Sequence, residues 1–189
     1  MISRSAASFV LVLCGSVGTA QRPPRPSWKV MCQDSALIVT GIVRDKAWVV
    51  HPEKMESATK PLPDGRLIME IPNPSAFVAG SVYTVEIEEV IKKRRRILAG
   101  GLISVYVPGF MISEAPQIMK GEKYLFFLSP VEVDDERFAG TMIQKPFAPR
   151  SEMARFRPDL SYDLVWSTAV HISPDNVGVI DEVKASLRK

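Results

Sequence analysis

The sequence predicts an all-β fold, an antiparallel barrel or sandwich of five short strands followed by a C-terminal helix. Three observations lead there. Apolar, β-branched runs of strand length recur along the chain, turn residues separate them, and no helical pattern of comparable length lies between them. The 15 prolines and 11 glycines are spread among those runs rather than pooled, so they punctuate short elements and argue against long helical bundles. With 189 residues, 46% hydrophobic and 24% charged, the chain suits one globular domain rather than a disordered or fibrous one.

The chain opens on an export signal. Arg4 stands in a short polar start, residues 6–17 are apolar, and the small residues Gly18, Thr19 and Ala20 precede Gln21. That is the order of a secretory signal cleaved after Ala20. The apolar stretch falls short of the about 20 residues needed to cross a bilayer, and no second run of that length follows. The expectation is a secreted or periplasmic protein with no transmembrane segment after cleavage. Leu13, before Cys14, occupies the place where a lipid-attachment site needs a small residue.

Residues 21–31 read as a Pro-rich lead-in, with QRPPRPS at 21–27 extended and solvated because proline cannot donate to a ladder. Cys32 is then the single thiol of the mature chain, so no internal disulfide forms and the fold must rest on its packed core. Beside an apolar strand signal, that thiol reads as buried and inert, with intermolecular pairing as the alternative.

The first strand is 36–44, with Leu37, Val39 and Val43 on one face and Ile38 and Ile42 on the other. Gly41 in its middle predicts a bulge or tight bend. Residues 51–63 are a polar, proline-bearing excursion, and LIMEI at 67–71 is a brief apolar run stopped by Pro72 and Pro74. The second strand, 81–91, alternates Tyr83, Val85 and Ile87 inward against Thr84, Glu86 and Glu88, until Val90 breaks the phase. A bulge at Glu88 and Glu89 reconciles the two halves.

Gly100 and Gly101 make the next turn before the third strand, 102–107. The fourth, 122–128, is apolar on both faces from Tyr124 onward, as in a strand covered on each side, and 138–143 makes the fifth. Val39, Val85, Val105 and Phe126 are expected to meet in one interior. Beyond Pro149, residues 151–156 suggest a single helical turn, and Leu164, Val165 and Trp166 an anchor laid on the sheet. Ser173 as N-cap, Pro174 and Asp175 then open a helix with apolar positions Val177, Ile180, Val183 and Leu187, and Arg188 and Lys189 at its negative end.

The runs CQDSALIVTGIVRDK, YTVEIEEVIK, ISVYVPG, KGEKYLFFLSP and FAGTMIQ together resemble the OB-fold barrel of tissue-inhibitor-of-metalloproteinase-like (netrin-module) domains, especially small exported bacterial ones. The resemblance covers about residues 32–147 and implies a five-stranded antiparallel OB-like barrel, with 148–189 as a C-terminal extension carrying the terminal helix. The family's inhibitors plug a protease zinc with the amine and carbonyl of a cysteine at the mature chain end. Here cleavage would leave Gln21 at the end and Cys32 inside the chain, which argues against that mechanism and leaves metalloprotease inhibition as the rival reading.

KKRRR, Lys92, Lys93, Arg94, Arg95 and Arg96, is the most unusual local feature, five cations at a tip between two strands. The run reads either as a solvated charge cluster or as a weak binding site for an anionic envelope component or a protein partner, and changing all five to Gln is expected to leave folding intact. Net charge is only +3, too slight to make the whole surface a nucleic-acid footprint, and Tyr83, Tyr124, Phe126 and Phe127 fall on core positions rather than on a stacking platform, so no nucleic acid is expected. His51 and His171 lie far apart in the sequence, and Asp134, Asp135 and Glu136 lack the spacing of a calcium loop, so no metal and no cofactor is expected. Without a nucleophile beside a recognisable base, and with no GxSxG elbow or phosphate-cradling loop, the chain reads as non-enzymatic.

Overall fold

The computed structural model describes residues 26–55, 58–63, 67–70, 74–94, 101–109, 117–132, 136–146 and 148–188. The expected signal at 1–20, the first part of the expected lead-in, Arg95, Arg96, Gly100, Asp134 and Asp135 lie outside the described residues. In chain order the elements are helix α1 Trp28–Asp34, strands β1 Leu37–Val50, β2 Ala58–Pro61 and β3 Leu67–Glu70, and the single turn α2 Pro74–Phe77. Strands β4 Val78–Lys93, β5 Leu102–Pro108, β6 Lys123–Pro130, β7 Met142–Gln144, β8 Ala154–Arg155 and β9 Ser161–His171 follow, then helix α3 Val179–Leu187. The protein is mostly β-sheet with a C-terminal helix.

Strand β1 organises the sheet. It pairs antiparallel with β4 from Leu37 opposite Lys93 to Val50 opposite Val78. Its first half also pairs with β6, and its last three residues pair with β7. Thr40 faces Glu89 while Gly41 faces Ile87, so Glu88 is an extra residue of β4, a bulge where the phase break predicts one. Gly41 sits at the same shift because nothing larger fits: a Cβ there would stand 2.6 Å from the Glu86 carbonyl oxygen and 2.6 Å from Val85 Cγ1.

Going outward, β4 pairs with β5, β5 with β9, β9 with β6 and β6 with β1, and since β1 also pairs with β4 these pairings form a closed cycle. Strands β7 and β8 hang on the far half of β1, and β2 with β3 form a separate two-stranded sheet in the excursion between β1 and β4. Two expectations change here. The fifth strand of the cycle is β9 rather than 138–143, and its pairing with β5, Ser104 opposite Ser161, is parallel rather than antiparallel.

The physical reasons are local. Residues 138–143 are largely used by the tight turn Glu136–Phe138 and by Gly140 at φ +70, so only the three residues of β7 remain to pair. In β9, Phe126 faces Ala169 but Leu128 faces Leu164, so residues 165–168 bulge opposite Phe127 and hide the alternation a sequence reader looks for. A boundary at 147 therefore cuts through the sheet.

Two faces of β6 carry two cores. Val39, Val85, Val105 and Phe126 share one cluster with Leu37, Tyr124 and Leu128, enclosed by the cycle of strands. Leu125 and Phe127 point the other way and join Ile38, Met31, Cys32 and Val183 beneath α1 and α3. A third cluster, around Tyr106, Phe138 and Phe156, closes the end under β7 and β8, with the Tyr106 and Phe138 rings edge to face at 4.9 Å.

Helix α1 replaces the last part of the extended lead-in. Ser27 accepts from the Val30 N–H as N-cap, and Trp28, Met31 and Cys32 form the i, i+3, i+4 stripe that docks the helix. The Trp28 ring stacks on Phe127, centroids 5.8 Å apart. Helix α3 begins at Val179, later than Ser173 suggests, because Asn176 bonds the Ser173 N–H and the His171 carbonyl and holds the intervening residues in turns. Its packed stripe is the buried Val183 with the half-buried Val179 and Leu187, while Val177 is exposed.

Cys32 is buried, and burial pushes its thiol above the ordinary range, with Lys92 pulling weakly the other way. The folded protein is thus expected to resist a thiol-specific disulfide reagent at pH 8, where both low thiolate content and enclosure protect it, and to react stoichiometrically once unfolded in urea. Because the folded state holds this proton more tightly, the associated stabilisation is complete below about pH 8.5 and is lost as pH rises through the raised value. Rapid labelling without denaturant would contradict the burial.

Candidate functional site

Helix α1 ends with orphan carbonyls and has no basic residue of its own in the last turn. Strand β4 supplies the cations. The Lys92 ammonium donates to the Ser35 carbonyl at 2.7 Å and to the Cys32 carbonyl, and the Arg94 guanidinium donates to the Gln33 carbonyl. The Arg94 N–H also donates to the Ala36 carbonyl at 2.8 Å. Burial, then the neighbouring Arg94, lower the Lys92 pKa, and Cys32 and Asp34 oppose them.

The cationic run is therefore divided. Lys92 and Arg94 lie back on α1, while Lys93, opposite Leu37, is exposed and belongs by alternation to the other side of the strand. Arg95 and Arg96 are outside the described residues. The expectation that all five can be neutralised without touching the fold needs correction, since removing Lys92 and Arg94 takes away the C-terminal partners of α1.

The bulge of β9 meets the same corner. Trp166 and Ser167 both take left-handed backbone angles, φ +55 and +48, which side-chain-bearing residues avoid. The Trp166 indole N–H donates to Asp34 at 2.8 Å, and the Thr168 hydroxyl donates to the Trp166 carbonyl at 2.8 Å. Trp166 is 57% exposed, although its neighbours Leu164 and Val165 pack into the two cores. The three residues do not act as one anchor, since Trp166 turns outward from the two cores that Leu164 and Val165 enter. Left-handed backbone at a tryptophan leaves no compositional mark, so only a polar Ser-Thr pair after an apolar run hinted at the bulge.

The other candidates are dispersed. The His51 ring lies 3.3 Å from Glu53, and His171 Nε2 lies 3.0 Å from Glu122 with its ring edge-on to Tyr124. Among the described residues no three His, Cys, Asp or Glu side chains group as metal ligands. Glu136 of the acidic loop is exposed in its tight turn. Tyr83, Tyr124, Phe126 and Phe127 are all buried, and the Tyr124 hydroxyl donates to the Gln117 carbonyl and accepts from the Met119 N–H, both at 3.0 Å.

Among the described residues no helix is long and apolar enough to cross a membrane. What fold and site define is a β-rich protein in which the end of β4, the end of α1 and the bulge of β9 meet at a cationic corner with an exposed indole. No family model matches the chain, and no curated protein matches it.

Proposed function

We propose that this chain is a non-enzymatic, exported binding module, an OB-like barrel of the netrin-module kind whose loop tips, the basic run at 92–96 foremost, contact an anionic envelope component or a protein partner. The barrel reading draws support from the cycle of pairings around one apolar interior, with β5 and β9 parallel. The binding reading rests on one observation: the cationic run leaves β4 with Arg94 exposed at the corner where α1 ends and Trp166 projects, and with Lys93 exposed on the other side of the strand.

Inhibition of a metalloprotease by the family's plug needs the amine and carbonyl of a terminal cysteine. Cys32 sits in the second turn of α1 with its carbonyl bonded to Lys92, which speaks against that rival.

The test separates binding from folding. Lys93→Gln, Arg95→Gln and Arg96→Gln together should leave the melting temperature near that of the parent and sharply reduce retention on an anionic matrix at low salt. Lys92→Gln with Arg94→Gln should instead lower the melting temperature. Unchanged retention of the triple variant would end the reading, and a secreted chain that begins at Cys32 rather than Gln21 would revive inhibition.

A further inference from the structure

We propose that the corner between α1 and the β9 bulge docks on an anionic lipid surface, with Trp166 as the side chain that enters the interface. The inference rests on the anionic-contact reading above and narrows it to a bilayer.

Two consecutive non-glycine residues in left-handed conformation are costly to hold, and here they hold a large apolar ring outward instead of into the core. The ring is also fixed: its N–H is bonded to Asp34, and the bulge closes on itself through Thr168. Val30, 38% exposed, lies one turn before Asp34 on the same face of α1. Two exposed apolar side chains thus belong to this corner, Val30 on α1 and Trp166 tied to α1 through Asp34.

Cations rim them. Lys29 is exposed beside Val30 on α1, and Arg94 reaches the same helix at Gln33, one residue from Asp34. The Asp34 carboxylate is engaged by the indole N–H, and Lys92 adds positive charge beneath it.

Chemistry selects the partner. Proteins that bind single strands stack successive bases on several rings, whereas this corner presents one exposed ring among the described residues, Trp28 being half-buried with its ring stacked on Phe127, and Tyr83, Tyr124, Phe126 and Phe127 being buried. A bilayer interface uses a single indole well, since its apolar body and polar edge suit the headgroup level, and each Lys or Arg near an anionic surface strengthens binding about fivefold.

The experiment is cosedimentation of the purified protein with vesicles of phosphatidylcholine alone or mixed with phosphatidylglycerol, with brominated phosphatidylcholine as a tryptophan quencher. Binding is expected only with phosphatidylglycerol, and the brominated chains should quench part of the indole emission. Trp166→Asn keeps a residue that accepts the left-handed backbone, and it should weaken binding about tenfold and remove that quenching. Lys29→Gln should weaken it about fivefold.

If the protein binds an anionic polysaccharide such as heparin but not the vesicles, the lipid inference fails and the anionic-contact reading stands. If it binds neither, both fail. If vesicles bind with no quenching in the parent protein, the ring does not enter the interface and the inference is overturned, whether or not the Asn variant folds.

Discussion

Replacing Gly41 with valine is expected to cost more than about 3 kcal/mol, enough to leave a domain of ordinary stability largely unfolded at moderate temperature. Two effects compete. Valine is the better strand former, which favours the substitution by up to about 1 kcal/mol. Against that, the first added carbon would stand 2.6 Å from a backbone oxygen of Glu86, and backbone cannot rotate aside as the end of a side chain can. Relief requires β1 and β4 to separate at the register shift that lets the pair bend around the interior. Urea unfolding measures the loss. Gly178→Ala is the control, since an added Cβ there meets nothing within 4 Å, and it should stay within about 1 kcal/mol of the parent. Equal stability of the two variants would show that the chains do not approach at Gly41.

Where apolar alternation is regular, the sequence carried the fold. Val39, Val85, Val105 and Phe126 keep the inward phase of the sequence alternation in β1, β4, β5 and β6 and do meet in one interior. The double-faced apolar character of β6 also anticipated a second covering layer, although not that α1 would help build it. Failures cluster where backbone irregularity breaks the period. The bulge at 165–168 hid β9, and Gly140 with the turn before it shortened the strand expected at 138–143. A seven-residue helix lay unnoticed behind prolines because its apolar stripe spans only Trp28, Met31 and Cys32.

The candidate site was half legible for a related reason. Composition exposes a run of five cations, but their partners are carbonyls of α1 about 60 residues earlier in the chain, so the run alone cannot reveal that Lys92 and Arg94 are turned back. Trp166 became a candidate only through its backbone angles and its bond to Asp34, and neither is written in residue identity.

Phe126 and Phe127, adjacent and both fully buried, should be equally expensive to truncate and different in consequence. Either change to alanine is expected to cost about 3–5 kcal/mol, the range for removing a buried aromatic ring that its surroundings only partly refill. Phe126→Ala opens a void inside the cycle of strands beside Tyr124, so stability should fall while the helices stay docked. Phe127→Ala removes the ring on which Trp28 stacks and to whose cluster Met31, Cys32 and Val183 belong. The second variant should therefore shift Trp28 emission to the red and lose helical signal at denaturant concentrations where Phe126→Ala retains both. Since α1 carries Asp34 and receives Lys92 and Arg94, Phe127→Ala should also reduce retention on an anionic matrix, and Phe126→Ala should not while it remains folded. Equal retention of the two folded variants would separate the contact surface from α1, and with it from the corner that Trp166 and Arg94 share.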